Sequence, residues 1–390
     1  MISVGDICTL TIDDVAYGGE GVGRIDGVAV FVPFTLEGEE VRIEITHTKP
    51  KYARARVRDV LRPSADRVTP PCRWYGLCAG CQYQHMNYNR QLRTKEKQVR
   101  ALIERIGKIQ EAPVESIVPA PHPWNYRTKI TLHGPGRPAY VGIDHTQRVP
   151  IDRCPIAQET LNAALADWNQ SHPVGLAGKE DLTLRVDKDG RVWNAVGRSG
   201  QRISQQVLNQ SFTLPLTSFF QINPDVADRL ATAVRKEVRD SGCRYVVDAY
   251  AGVGVFGLLA AKHVEQVYAI ESDAAAVRSA KKNAGASSTP NFQVIKDRVE
   301  RGLKTVLQGV EGPDTICIID PPRKGCPSEV IQALGDARVK TMLYISCSPD
   351  RLARDGARWK EAGYRLLRVQ PFDMFPQTAH IEALAVFTAD

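Results

Sequence analysis

The chain has 390 residues, 43% of them hydrophobic and 24% charged, which is the composition of an ordinary globular protein of two or three domains. No apolar run reaches membrane-span length and the start "MISVGDICTLTIDD" has no basic-then-apolar leader pattern, so a cytoplasmic protein is expected. The net charge of +7 is unevenly spread: residues 1–41 carry one basic and eight acidic residues, and residues 42–108 carry sixteen Lys or Arg against five acids. Basic stretches of this kind fit a polyanionic partner, or a solvated face of a structural module. Nine scattered cysteines do not form a disulfide framework, but Cys72, Cys78 and Cys81 cluster while Cys347 stands alone between two serines.

Residues 1–62 read as short alternating strands, "CTLTIDD", "GVAVFVP", "VRIEIT" and "ARARVRDVL", broken by the glycine-rich turn "YGGEGVGRIDG". Period-two apolarity with such turns predicts a small antiparallel barrel, a shape that commonly binds RNA along a basic groove. In "KYARARVRD" the alternation puts Arg54, Arg56 and Arg58 on one face and Ala53, Ala55 and Val57 on the other. The cysteine block "CRWYGLCAGC" follows, then "NRQLRTKEKQVRALIERIG", an amphipathic helix over 90–107 with a basic outer face and a glycine stop. Residues 114–215 look strand-rich, with "DKDG" as a hairpin turn.

From about residue 216 strands alternate with helices, which predicts a doubly wound α/β sheet. "VVDAYAGVGVFGLLAA" is a buried strand that ends at Asp248 and turns through Gly252, Gly254 and Gly257 into a helix. Glycines there let a ligand approach the backbone at the carboxyl edge of the sheet. Glu271, 17 residues past Gly254, ends the next strand, where a carboxylate can accept ribose hydroxyls; Asp297 ends a third. The loop lacks the lysine of a triphosphate site, leaving a dinucleotide or S-adenosylmethionine, and the joint pattern favours the latter.

"IIDPPRKG" places Asp320 at a fourth strand end, stiffened by two prolines, and "YISCS" places Cys347 at a fifth, on the same edge. A thiolate can add to C6 of a pyrimidine and make C5 nucleophilic enough to take a methyl group. That chemistry asks for a soft, low-pKa thiol and for a base to remove the C5 proton. In "FPQTAHIEALAVF" the acidic candidate is Glu382, with His380 as a rival.

"SFFQINPDVADRL", "DAYAGVGVFG", "IIDPPRKG", "YISCSPDRLARD" and "FPQTAHIEALAVF", in this order, resemble the RNA 5-methyluridine methyltransferases, and "TIDDVAYGGEGVGRIDGVAVFVPFTLEGEEV" resembles their TRAM module. The resemblance covers nearly the whole chain. It implies an α/β protein with a TRAM barrel of OB-like shape (residues 1–62) and a strand-rich central domain (63–215) on which helix 90–107 reaches toward the catalytic domain. A Rossmann-like methyltransferase domain completes it (216–390). By position it makes Cys347 the nucleophile and Glu382 the base. Gln221, Tyr250, Gly252, Gly254, Glu271, Asp297 and Asp320 would line the pocket for S-adenosylmethionine and the target base, with Phe219 and Phe220 shaping it.

The resemblance also implies a 4Fe-4S cluster held by Cys72, Cys78, Cys81 and Cys154, a ligand set that zinc could use as well. Ala79, Ala251, Val255 and Ser348 depart from the family pattern, but none replaces a reacting group. The implied partner is RNA, ribosomal before transfer RNA, with no membrane, no obligate protein partner and a monomeric chain. A non-catalytic RNA-binding protein on the same fold is the competing class, and a thiol redox role for Cys72–Cys81 a weaker one.

Overall fold

The computed structural model describes residues 2–389. Six N-terminal strands form one sheet: β1 (Ile7–Thr11), β2 (Asp14–Val15), β3 (Glu20–Ile25), β4 (Val28–Pro33), β5 (Glu40–Lys49) and β6 (Tyr52–Arg62), in the order β1-β5-β6-β4-β3-β2. It wraps around Leu10, Val30, Val32, Val41, Ile43, Ile45, Ala53 and Ala55. All pairs are antiparallel except one. β4 and β6 run parallel, a correction to the purely antiparallel barrel, because the chain leaving β4 skips one place to form β5 and returns by an antiparallel hairpin into β6 beside β4.

The alternation on β6 holds: Ala53 and Ala55 face the core, while Arg54, Arg56 and Arg58 face outward. Those arginines are not free cations. Arg54 pairs with Glu20, Arg56 and Arg58 share Glu44, Arg42 pairs with Asp59 and Arg62 with Glu40. Acids of the first forty residues, Glu20 and Glu40, and acids within the basic stretch itself, Glu44 and Asp59, thus neutralise this strand face.

Helix α1 (Tyr88–Arg105) begins where the Asn87 side chain accepts from the Arg90 amide at 2.9 Å, a side-chain N-cap. Its buried face differs from the apolar stripe with basic surround read from sequence: Gln91, Thr94, Lys95 and Gln98 are buried beside Val99 and Ile103. The helix packs on α8 (Pro349–Glu361), and its polar face looks into protein: Gln91 bonds Gln377, Lys95 bonds Asp373, and Gln98 bonds the Val15 and Ala16 carbonyls. No helix among the described residues is long and apolar enough to cross a membrane.

A five-stranded sheet follows, from β7 (Lys129–His133), β8 (Ala139–Val141), β9 (Arg148–Pro150), β10 (Asp181–Val186) and β11 (Val192–Val196), with α2 (Glu159–Ser171) against it. The hairpin of β12 (Arg202–Val207) and β13 (Gln210–Pro215) comes next. Its Ile203, Val207, Phe212 and Leu214 pack in the same apolar core as α3 (Pro224–Ser241), so the chain enters the C-terminal core before the change of rhythm at 216.

Seven strands complete the fold: β14 (Tyr245–Ala249), β15 (Gln266–Glu271), β16 (Phe292–Lys296), β17 (Thr315–Ile319), β18 (Thr341–Ser346), β19 (Tyr364–Phe372) and β20 (Glu382–Ala389). Their order is β16-β15-β14-β17-β18-β20-β19, parallel through β18, with β20 and β19 antiparallel. Helices α4 (Val255–Ala260), α5 (Ala274–Ala286), α6 (Val299–Leu307) and α7 (Ser328–Asp336) link the parallel strands. Order reverses between β14 and β17, so the loops leaving these strands diverge and open a crevice at the carboxyl edge.

Candidate active site

The loop leaving β14 is built for close approach. Tyr250, Gly252 and Gly254 all take left-handed φ angles of 64°, 57° and 88°. Gly257 opens α4 with its amide donating to Asp248 Oδ2 at 2.9 Å, and a Cβ there would lie 2.7 Å from that oxygen. Only glycine lets strand and helix approach this closely. Glu271 ties the loop down: its carboxylate accepts from the amides of Gly252 at 2.9 Å and Asp273 at 2.7 Å. Asp297, just past β16, is engaged by Arg301, whose Nε donates at 3.0 Å.

Asp248 and Asp320 end the two strands flanking the crevice. Burial pushes both carboxyls up to about 7, and at Asp248 the charges of Asp320 and Glu271 add to it. The Tyr250 hydroxyl is buried without a hydrogen-bond partner, its ring packed on the core that holds Ile270, Ile319 and Cys326. Gln221 is half-buried in the loop before α3. Beside it the two phenylalanines divide: Phe220 is in the core against Phe212, whereas Phe219 is 75% exposed.

Cys347 follows β18 and precedes Pro349, the first residue of α8. Its flanking serines make the turn: Ser346 Oγ accepts from the Ser348 amide and donates to the Ser348 carbonyl, both at 3.1 Å. Because β20 is antiparallel to β18, with Ser346 opposite Ala383, the start of β20 returns to the carboxyl edge and sets Glu382 next to Cys347. The expected low-pKa thiol is not what the protein alone presents. Burial, then Glu382 and Asp320, push the Cys347 thiol up, against Arg323, which pulls it down. Burial and Asp320 likewise push the Glu382 carboxyl well up, again opposed by Arg323. His380, the rival base, is pushed down to about 4 by desolvation and the cations Arg323, Lys95 and Arg127.

Glu382 is carried by a strap, residues 373–381, that is gripped from outside the sheet. Lys95 of α1 donates to Asp373 Oδ1 at 2.6 Å and to the Phe375 carbonyl at 3.0 Å. Gln91 and Gln377 exchange two hydrogen bonds at 2.9 Å each. The Gln82 and Tyr83 amides donate to the Gln377 carbonyl at 3.1 and 2.9 Å, and the Tyr126 hydroxyl to Pro376 O at 3.0 Å. Sequence reasoning missed this grip and Arg323. Arg323 lies in the quoted "IIDPPRKG", but no spacing rule singles it out.

Cys72, Cys78, Cys81 and Cys154 line one cavity of about 360 Å³, with Trp74, Tyr75 and Arg127. Among the described residues no group of three or more His, Cys, Asp or Glu is drawn together tightly enough to hold a metal ion. Burial pushes the Cys81 thiol up to about 12, Gln84 opposes it, and Cys154, Cys78 and Cys72 raise it further. Burial likewise pushes the Cys72 and Cys78 thiols up, and thiols held neutral together in one pocket are a donor set that a cationic group would ionise.

Two family models match: the TRAM domain over residues 3–57, and tRNA (Uracil-5-)-methyltransferase over residues 199–389. A Thermosynechococcus vestitus protein described as an uncharacterized RNA methyltransferase is 32% identical, over 98% of each chain. A Caldanaerobacter subterraneus protein with the same description is 31% identical, over 99% of this chain and 98% of its own. The solved tRNA (uracil-54, C5)-methyltransferase of Pyrococcus abyssi, in complex with S-adenosyl-L-homocysteine, shares the fold with a TM-score of 0.75. It is 24% identical, over 98% of this chain and 100% of its own. Relatives aligned end to end, and a family model spanning the whole crevice, make this chain a member of the RNA uracil-C5-methyltransferase family.

Proposed function

We propose that the protein transfers a methyl group from S-adenosylmethionine to C5 of one uridine in a structured RNA, through a covalent bond between Cys347 and C6. The observation that carries this reading is the meeting of Cys347 and Glu382 on one sheet edge, produced by the antiparallel return of β20. A binding-only protein has no use for a nucleophile and a proton acceptor held together in a buried crevice.

In this reading the Cys347 thiolate adds to C6, forming a C–S bond, and the C5–C6 π pair moves into an enolate on C4–O4. The enolate's C5 takes the electrophilic methyl group that S-adenosylmethionine supplies, the new C5–CH3 bond replacing the S–CH3 bond as S-adenosylhomocysteine leaves. Glu382 then takes the C5 proton, the C–S bond breaks, and the thiolate leaves as the double bond reforms. Both groups must first lose protons that burial helps them keep, and Arg323 is the cation that favours this. Asp320, whose charge bears on both Cys347 and Glu382, lines the pocket with them. Tyr250, Gly252, Gly254, Glu271, Asp297 and Gln221 hold the donor. The unpartnered Tyr250 hydroxyl and the left-handed glycines of this loop fit a ligand laid against it.

We assign the cysteine cavity to a 4Fe-4S cluster ahead of zinc, because all four cysteines of the motif line one cavity and the sequence resemblance implies the cluster. The division at about residues 62 and 215 belongs to the same proposal, with the β12–β13 hairpin the part of the middle segment that packs in the C-terminal core. Ribosomal RNA is the substrate we favour, on the strength of the cysteine block, with transfer RNA the alternative. Mapping 5-methyluridine in ribosomal and transfer RNA from a deletion strain tests the reading, and an unchanged map would refute it. With 5-fluorouridine-substituted RNA, wild type should form a stable adduct and Cys347→Ala none. With natural RNA, Glu382→Gln should accumulate a methylated adduct.

A further inference from the structure

The glycine-rich turn between β2 and β3 reaches out of the barrel. Val15 is buried with Leu36, Tyr83, Met86 and Ala379, a cluster that joins barrel, cysteine block and strap. Gln98 of α1 donates to the carbonyls of Val15 and Ala16 at 3.0 and 2.9 Å. At Gly19 a Cβ would stand 3.0 Å from Gln82 Cβ and from the Tyr83 ring, and 3.4 Å from Ala379 Cβ. Ala379 is three residues before Glu382. The turn is therefore wedged against the strap that carries the proposed base.

Tyr17 is at the tip of that wedge and 37% exposed. The charges bearing on its phenol come from Asp350, Cys347, Arg323 and Arg351, residues of the loops after β17 and β18 and of the first turn of α8. Burial, followed by Asp350 and Cys347, pushes the phenol up to about 12, so its hydroxyl is a donor at neutral pH. Arg323 is exposed and has no ion-pair partner among the described residues. An aromatic face and an unpaired guanidinium thus flank the mouth of the crevice, one from each end of the chain.

We infer that Tyr17 is a substrate-binding residue lent by the N-terminal barrel: its ring packs on the nucleotide entering the Cys347 pocket, beside a phosphate met by Arg323. The inference rests on the methylation reading above. A uridine offering C6 to a thiol and C5 to a methyl donor must leave its stack, which costs a few kcal/mol. A stacking surface at the pocket mouth returns part of that cost, and base–aromatic contacts supply it without regard to sequence. The barrel then acts in the reaction itself, and its turn fixes the distance between tracked RNA and the reacting base.

The test is steady-state methylation of unmodified ribosomal and transfer RNA made by in vitro transcription, with wild type, Tyr17→Ala and Tyr17→Phe. The alanine variant should raise KM for RNA about tenfold or more, with kcat changed by less than about twofold. Melting temperature and affinity for S-adenosylhomocysteine should not move, and phenylalanine should restore KM. A wild-type KM in Tyr17→Ala, or a fall confined to kcat, overturns the inference. If alanine unfolds the turn, Tyr17→Leu keeps apolar bulk without a ring, and a wild-type KM there overturns it equally. An active wild type indifferent to Tyr17 sinks this inference alone. A wild type that methylates neither RNA sinks the functional reading, and this inference with it.

Discussion

Lys95 and Asp373 meet at 2.6 Å with neither side chain exposed to solvent, joining α1 to the strap that carries Glu382. Lys95 bonds Asp373 Oδ1, and Oδ2 is buried without a hydrogen-bond partner, so the lysine is the cation that compensates this carboxylate. Burial pulls the lysine down while Asp373 holds it up, and the pair is stable only as a pair. Lys95→Met should cost roughly 3–5 kcal/mol by leaving an uncompensated charge inside. The double variant Lys95→Met/Asp373→Asn should recover much of it. Urea unfolding of the singles and the double checks this, and equal losses in all three would mean the contact is packing alone.

The same contact shows what could be read from the sequence and what could not. The strand ends bearing Asp248, Glu271, Asp320 and Cys347 announced themselves, because buried parallel strands are short apolar runs that stop at a polar residue. Lys95 read as a solvated cation on a basic face, since a helical period cannot say that a strap far along the chain, residues 373–381, will cover that face. The β12–β13 hairpin escaped because Leu208 and Asn209 both take left-handed φ angles without the usual Asn-Gly signal. β19 escaped because a register shift between Leu366 and Arg368 breaks its alternation. The thiol's environment was misread for a different reason: the carboxylates raising it come from strands far apart in sequence.

Asp248 should make stability pH-dependent in a stated direction. Its carboxyl stands at about 7 in the folded protein, against about 3.9 when unfolded. Between these values the folded state binds more protons, so stability is fully present below about pH 4 and is lost as pH rises through 7. Asp248→Asn keeps an acceptor for the Gly257 amide and removes the ionisation. Its unfolding free energy should fall less than that of wild type from pH 5 to pH 8. Parallel curves for the two proteins would mean that the native carboxyl ionises freely.

Protein purified without oxygen should carry about four iron and four sulfide per chain, with absorbance in the visible range. Stoichiometric zinc with no visible band would give the cavity to a single ion instead. Cys81→Ser should lower iron content and melting temperature together, since metal binding is coupled to folding. Cys81 immediately precedes Gln82, whose amide holds the strap at Gln377, so loss of the group should also loosen residues 373–381. Amide exchange should report that loosening, with protection lost in the strap ahead of the central strands of the C-terminal sheet.

The barrel arginines give the last prediction. Arg56 and Arg58 share Glu44, whose carboxyl is held down by them, and Arg54 is taken by Glu20. These are solvent-exposed pairs, which add little to stability, so a phosphate can displace the carboxylate at little cost. If the outer face of β6 tracks an RNA backbone, every phosphate contact must compete with its own glutamate. Glu44→Gln removes that competitor and leaves both guanidiniums in place. RNA should then bind more tightly at low salt, and the slope of log K against log salt should steepen by about 1 to 2 units for two freed contacts. Charge reversal at Arg56 and Arg58 should flatten it by a similar amount, with donor affinity unchanged, because the Gly252 loop lies in the C-terminal sheet. A salt slope indifferent to both changes would mean the strand is a self-neutralised surface, and the RNA would have to be selected by the five-stranded central sheet and the rim around Tyr17 and Arg323.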